Sequence, residues 1–284
     1  LQLLQQQLML KIKKVKDTKL TFCGMTQIVA GTGDGYIKDD SSSSVKFGTH
    51  RIRLGWKFVS KDIKGKVLLD FNQPADKKED VGAYKMVKDA YLVYKFSDEL
   101  IVKAGIVKTP VGMGFTMSGW NIDAVTKSFD RQLAFDRING IMISGRDIGM
   151  KNDAIVNGFE TGHERPMKGF GYDLMFGNQA SRSNAVVPSD QNSSEDNAYM
   201  ARIHFDLDEA FHFEISSGVS PNASGFKNSK PYKVLNIGVD SHFNNGKNIK
   251  FEYYKVSGIK GVEHKMNTLA STYTQYISSN IEFI

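Results

Sequence analysis

A single cysteine, Cys23, occurs in 284 residues, so neither an internal disulfide nor a cysteine-based zinc site can form. Proline is scarce at 6 residues, which leaves long stretches free to pair as uninterrupted strands. No stretch approaches the roughly 18 consecutive apolar residues of a membrane helix, which excludes a helical membrane protein. A membrane strand is not excluded, because it needs only about 9–11 residues with every second one apolar. The chain starts at Leu1 without a basic-then-apolar leader; an export signal, if there was one, is expected to have been removed. Positive charge is present without being concentrated. The net charge is +6, but the basic residues are spread along the chain, unlike the clustered face of a nucleic-acid binder, and no nucleic-acid partner is expected.

What is abundant is glycine and aromatics, 26 Gly with 18 Phe and 11 Tyr, the composition of many strands joined by turns. From Thr18 onward apolar residues recur with period two. Ile52, Leu54, Trp56 and Phe58 alternate with Arg51, Arg53, Gly55 and Lys57, and Tyr199, Ala201, Ile203, Phe205 and Leu207 with Met200, Arg202, His204 and Asp206. Phe211, Phe213 and Ile215 alternate with His212, Glu214 and Ser216, and Ile249, Phe251 and Tyr253 with Lys250, Glu252 and Tyr254. This is a two-faced antiparallel sheet, one face apolar and the other polar.

The connections alternate in length. Short turns centre near Lys61, Asp98, Asp208, Asn245 and Ser279, spaced 37 residues from Lys61 to Asp98, 37 from Asp208 to Asn245 and 34 from Asn245 to Ser279. Between them lie long polar loops at residues 30–44, 73–85, 179–197, 222–230 and 257–268. Short turns at one end and long loops at the other characterise outer-membrane barrels. The stretch 151–169 breaks the rule, being long where a short turn is expected. About twelve strands are predicted, and Ile281-Glu282-Phe283-Ile284 opens another. Four residues cannot cross a membrane, so further strands are expected to follow in the full protein. The predicted fold class is therefore all-β, an antiparallel up-and-down transmembrane barrel over residues 18–284.

Residues 1–17 differ. Leu1, Leu4, Leu8, Ile12 and Val15 have helical spacing and are followed by a lysine-rich end. This segment reads as a periplasmic helix, as the end of a coiled coil, or as a frayed terminal helix without a role.

Several stretches resemble the phosphate-selective porin O and P family. They are Asp89-Ala-Tyr-Leu-Val-Tyr-Lys-Phe96, Lys103-Ala-Gly105, Lys108-Thr-Pro-Val-Gly-Met-Gly114, Phe129-Asp-Arg-Gln-Leu-Ala-Phe-Asp-Arg137, and Tyr273 and Gln275 with Ile281-Glu-Phe283 across the last turn. The resemblance implies a homotrimeric channel in the bacterial outer membrane, with sixteen-stranded barrels in contact with lipid. It also implies a long third loop folded into the lumen, with basic residues at the narrow part. Here residues 109–136 are expected to occupy that place, with Lys127, Arg131 and Arg137 as the basic residues of the constriction loop. Asp123, Asp130 and Asp136 interleave with them.

The candidate site is the polar face. Alternation puts Arg51, Arg53, Lys57, Lys66, Lys103, Arg146, Arg202 and Lys250 there, with Asp70, Asp173, Asp206, Glu214, Asp240 and Glu252. In a narrow pore basic rings favour small anionic solutes. The same charges could instead pair across neighbouring strands and only keep the wall wet. Outward aromatics such as Trp56, Phe58, Phe71, Tyr94, Phe96, Phe205, Phe211, Tyr253 and Tyr273 fit an interfacial girdle, or simply strand preference.

Enzymatic signatures fail in turn. Gly31-Thr32-Gly33-Asp34-Gly35 lacks the strand–loop–helix setting of a nucleotide loop. His212 and Glu214 form an H-x-E pair, but the P-C-x-x-C partner of zinc deaminases is absent. Ser241-His242 is an adjacent pair with nothing to complete it. No enzyme activity and no cofactor or metal is expected. Two functions remain: a passive diffusion channel for small hydrophilic solutes with a mild anion preference, phosphate included, or a structural barrel that anchors the envelope through its N-terminal helix.

Overall fold

Period-two alternation of β-branched and aromatic residues does produce strands. The structure is a computed structural model, and it describes residues 18–31, 46–71, 86–116, 133–135, 137–148, 169–178, 197–208, 211–221, 230–243, 247–258, 264–278 and 281–283. In chain order the elements are β1 (Lys19–Gly31), β2 (Lys46–Ser60), β3 (Ile63–Asp70), β4 (Val87–Lys95), β5 (Ile101–Lys108), α1 (Met113–Thr116), β6 (Arg137–Ile148), β7 (Gly169–Asn178), β8 (Asn197–Asp208), β9 (Phe211–Ser220), β10 (Tyr232–Phe243), β11 (Lys247–Ser257), β12 (Lys265–Ser278) and β13 (Ile281–Phe283). Each strand pairs antiparallel with its sequence neighbour, giving one 13-stranded up-and-down sheet. The segment 1–17, most of the long loops, the irregular connection 151–168, and the residues Lys127 and Arg131 lie outside the described residues.

The sheet is curled. Gly112 follows the last residue of β5 by four positions, a reach of at most about 14 Å. Yet Gly112 N–H donates to Ser216 Oγ on β9 (3.0 Å), Met113 N–H to Asn236 Oδ1 on β10 (3.3 Å) and Gly114 N–H to Glu252 Oε1 on β11 (3.0 Å). On a flat sheet β10 would stand five strand spacings from β5, about 24 Å away. Only a concave sheet, with this segment folded across its inner face, brings these groups together.

Burial follows the pleat in an inverted sense. On β8, Arg202 is 2% exposed and His204 0%, while Ile203 is 54% exposed and Leu207 59%. The same inversion holds along β7, where Asp173 and Met175 are buried and Leu174 and Phe176 are exposed. Fully burying one such aliphatic or aromatic side chain is worth roughly 1.5–3 kcal/mol. A row of them left outward on consecutive strands is unfavourable in water and favourable in hydrocarbon. The central strands have the length for it: β8 and β10 have 12 residues each. At ~3.3 Å per residue that is about 40 Å, which at a tilt near 45° covers a band roughly 25 Å tall.

The outer face is zoned. Leu54, Val67, Leu92, Ile141, Ile143, Leu174, Ile203 and Ile215 form an exposed aliphatic middle. Tyr94 and Phe96 at the β4–β5 turn meet edge-to-face with centroids 4.5 Å apart. Phe205 and Phe243 are exposed near other short turns. At the opposite end Phe47 and Phe71 are exposed, and Phe176 packs on Tyr199 at 5.4 Å. Of the outward aromatics picked out in the sequence, Phe58, Phe211 and Tyr253 are half-buried, Tyr273 is exposed, and Trp56 packs on Phe22 across β1–β2 at 6.1 Å.

The inner face is not uniformly polar. Ala198, Met200, Val234, Tyr254 and Val256, toward the long-loop end, form an apolar cluster with Val107, Val111, Leu133, Phe135, Ile138, Met142 and Met175. This cluster is the bed on which the inward segment lies. Charged residues occupy the rest of the inner wall.

Candidate channel lining

The inward segment begins where β5 ends. Thr109 Oγ1 donates to Phe135 O (2.6 Å), which ties the departing chain to its return. Gly112 has φ +90°, a conformation that favours glycine, and a Cβ there would stand 2.5 Å from Tyr254 Oη. The single turn α1 closes through Thr116 N–H to Gly112 O (2.9 Å), and Lys108 Nζ donates to Thr116 O (2.9 Å). On the returning side Tyr232 Oη donates to Leu133 O (2.5 Å), and Phe135 packs edge-on against the Tyr232 ring at 5.2 Å. Both flanks of the insertion are thus fixed to the β9–β11 wall.

Every one of the eight basic and six acidic residues assigned to the polar face lies on the inner side of the sheet. Arg51 Nη1 donates to Gln27 Oε1 on β1 (2.7 Å). Arg53 Nε pairs with Asp70 Oδ2 across β2–β3 (2.9 Å). Lys57 is exposed, faces Lys66 in register, and has no ion pair among the described residues. Lys66 Nζ and Arg137 Nε share the two oxygens of Asp89, each at 2.7 Å. Arg137, expected in the constriction loop, is instead the first residue of β6 and part of the wall, because its guanidinium pairs with Asp89 of β4. Lys103 is buried, with its ammonium 5.1 Å from the Tyr91 ring centre.

Asp173 is the centre of a second network. It accepts from Ser144 Oγ (2.5 Å), Arg146 Nη2 (2.6 Å) and Arg202 Nε (2.7 Å), and register puts Ser144 and Arg202 directly beside it on the flanking strands. Arg202 Nη1 stands 3.7 Å from Glu214 Oε2, and Lys250 Nζ 3.8 Å from Asp240 Oδ2.

These charges are segregated around the wall. The β2–β5 arc carries Arg51, Arg53, Lys57, Lys66 and Lys103, joined by Arg137, against Asp70 and Asp89. The β7–β11 arc carries Asp173, Asp206, Glu214, Asp240 and Glu252 against Arg202 and Lys250, with Arg146 of the adjoining β6 also turned to Asp173. Access differs as well. The side chains of Lys66, Arg53 and Arg137 are 24, 17 and 15% exposed, whereas those of Asp173, Glu214 and Asp240 are 0, 1 and 0%. The inward segment lies over the acidic arc and supplies backbone N–H donors to it. Among the described inner-face residues the most exposed charges, Lys57, Lys66, Arg53 and Arg137, are all basic, whereas Arg51 and Lys103 are as buried as the carboxylates. Sequence reasoning gave the inward side of each residue but not this sorting, which depends on strand neighbours. It also missed Asp89 as a lining residue, although Lys66 and Arg137 both point at it.

Two histidines and an aspartate at the short-turn end of β8 and β9, His204, Asp206 and His212, come together and are all buried; Asp206 and His212 were each weighed in the sequence, but not their grouping with His204. The signal was present as H-x-D followed by H-x-E across a short turn.

In sequence, no family model and no curated protein matches the chain. In three dimensions it is similar to the outer-membrane channel DcaP of Acinetobacter baumannii, with TM-score 0.57 and 13% identity over 94% of this chain and 77% of that one. OmpF of Salmonella typhi, solved with daunomycin, gives 0.44 at 13% identity over 93% and 87% of the two chains. An anion-selective porin from Comamonas acidovorans gives 0.40 at 10% identity over 93% and 86%. Of these three the first exceeds 0.5, and it supports the fold alone: an all-β, antiparallel up-and-down architecture like that of the channel it matches.

Proposed function

We propose that the chain is a passive, water-filled channel of the bacterial outer membrane for small hydrophilic solutes. It has a mild preference for anions, phosphate among them, and works as a homotrimer of the kind the O and P porins form. The observation that carries this reading is the inverted sheet, with apolar side chains outward, charged ones inward, and a backbone segment folded across the inner face. Such a wall is stable only with lipid outside and water within.

The anion preference rests on accessibility rather than on net count. Cations of the wall reach the lumen at Arg53, Lys57, Lys66 and Arg137, while the carboxylates of the facing arc are buried, Asp173 between Arg146 and Arg202, Glu252 against Asn236 and Gly114 N–H, Asp240 near Lys250 and Asp206 against His212. Guanidinium groups donate in the geometry an oxyanion accepts. Lys127 and Arg131 are assigned to the same narrow zone.

Planar-bilayer recording under a salt gradient tests this. Wild type should show a reversal potential on the anion side, retained when phosphate replaces chloride. The pair Lys57→Glu and Lys66→Glu should move it toward cations, and Arg131→Glu should do so independently. A non-conducting protein, or strong cation preference in the wild type, would sink the channel reading. A phosphate-specific preference would show as a larger shift with phosphate than with chloride at equal ionic strength.

A further inference from the structure

Four side chains form a block on the inner face beside the β8–β9 turn. His204 and Asp206 are two residues apart on β8 and so share a face. In register, His212 stands opposite Asp206, and Glu214 opposite His204. One ligand atom from each of His204, Asp206 and His212 lies within 4.8 Å of the others, and all three residues are buried. His212 is held between carboxylates, Nδ1 at 3.0 Å from Asp206 Oδ1 and Nε2 at 3.3 Å from Glu214 Oε2.

His204 is not held in this way. It is fully buried, and neither ring nitrogen has a hydrogen-bond partner among the described residues. The carboxylate near its Nε2, Asp173 Oδ2, is 3.9 Å away and already engaged by Arg202. Asp206 Oδ2 and Glu214 Oε1 are likewise buried without a partner among the described residues. A buried imidazole with two idle nitrogens beside two idle carboxylate oxygens is costly unless something fills the gap. A proton on His212 would satisfy His212 and leave His204 as it is. A cation at the centre of the block would satisfy both.

We propose that His204, Asp206 and His212 bind a divalent transition-metal ion of the zinc type, with Glu214 as the adjoining carboxylate. The donor set decides the class. Two imidazoles suit zinc, nickel, cobalt or copper, whereas calcium and magnesium take oxygen ligands. Charge points the same way: Asp173, Asp206 and Glu214 carry three negative charges against the two positive charges of Arg146 and Arg202, so the cluster is net −1 and attracts a cation. With metal–ligand bonds of about 2.1 Å, opposite ligands stand at most ~4.2 Å apart, so the 4.8 Å span needs only a small inward turn of the side chains. Placed where β8 turns into β9, the ion would clamp the hairpin at its closed end. This inference stands whether or not the channel conducts.

The full-length, tag-free chain in detergent micelles, stripped with chelator, is titrated with Co2+ and followed by visible absorption. One equivalent should bind with d–d bands of nitrogen–oxygen ligation and be displaced by one equivalent of Zn2+. His204→Gln and His212→Gln should each weaken binding at least ~10-fold, and His264→Gln, remote on the surface, should not. Far-UV circular dichroism and heat-modifiable gel migration check that the variants fold. X-ray absorption of the zinc-loaded wild type supplies a readout that needs no variant, and two imidazoles should appear in the shell. Failure of the folded wild type to take up either ion overturns the proposal. So does uptake that survives in both histidine variants, or a shell without imidazole.

Discussion

Removing the charge of Asp173 gives the sharpest test of how tightly the inner wall is built. Its two oxygens accept from Ser144, Arg146 and Arg202 at 2.5–2.7 Å, and the residue is 0% exposed. Asp173→Asn keeps the shape but turns an NH2 toward guanidinium donors, leaves Arg146 without its counter-ion and leaves Arg202 with Glu214 at 3.7 Å as its remaining carboxylate. Breaking a buried, hydrogen-bonded pair in this way costs about 3–5 kcal/mol. Asp70→Asn is the internal control. Its partner Arg53 has a side chain 17% exposed and can turn to lumen water, so its loss should cost about 1 kcal/mol. Urea unfolding in lipid vesicles, followed by tryptophan fluorescence, reports both as shifts of the midpoint at constant slope. Adding Arg146→Gln to Asp173→Asn should recover part of the loss, because one stranded cation is removed. Equal costs for the two aspartates, or less than about 1.5 kcal/mol for Asp173→Asn, would mean that water reaches Asp173 and that the wall is loose there.

Other outcomes are expected at positions with separate causes. Gly112→Ala forces a side chain into a left-handed conformation 2.5 Å from Tyr254 Oη and should loosen the inward segment, giving larger and noisier single-channel currents; an unchanged conductance would show that the segment does not restrict the lumen. Thr109→Val and Tyr232→Phe each remove one bond that fixes a flank of the insertion, at 2.6 and 2.5 Å, and should each cost about 1 kcal/mol in unfolding with a parallel rise in current noise. Ile203→Lys, in the outward aliphatic middle, should cost about 2–4 kcal/mol in vesicles; a change within ~0.5 kcal/mol would place that face in water and contradict the lipid assignment.

Strand positions and the inward side of each charged residue were legible because the pleat has period two. Once Ile203 is known to face one way, Arg202 and His204 must face the other. The short turns near Lys61 and Asp98 were legible for the same reason, as breaks in that alternation. The apolar bed under the inward segment was not, because Met200, Val234 and Val256 carry no mark that distinguishes an inner apolar residue from a lipid-facing one. Nor was the anchoring of residues 112–114, whose hydrogen bonds span sequence separations of 104, 123 and 138 residues and exist only because the sheet curls.

The charge segregation lies between these cases. Each residue's side follows from the pattern, and the sorting into a basic and an acidic arc from the strand order, but which arc stays accessible depends on which strands the inward segment covers. An insertion lying over β2–β5 would have buried Lys66 and exposed Glu252, and the same sequence alternation would then describe a cation-preferring lumen. On the channel reading proposed above, selectivity would be set less by the balance of charges than by where one loop comes to rest. On that reading the contacts at Gly112, Thr109 and Tyr232, which hold the segment in place, would govern permeation without touching a solute.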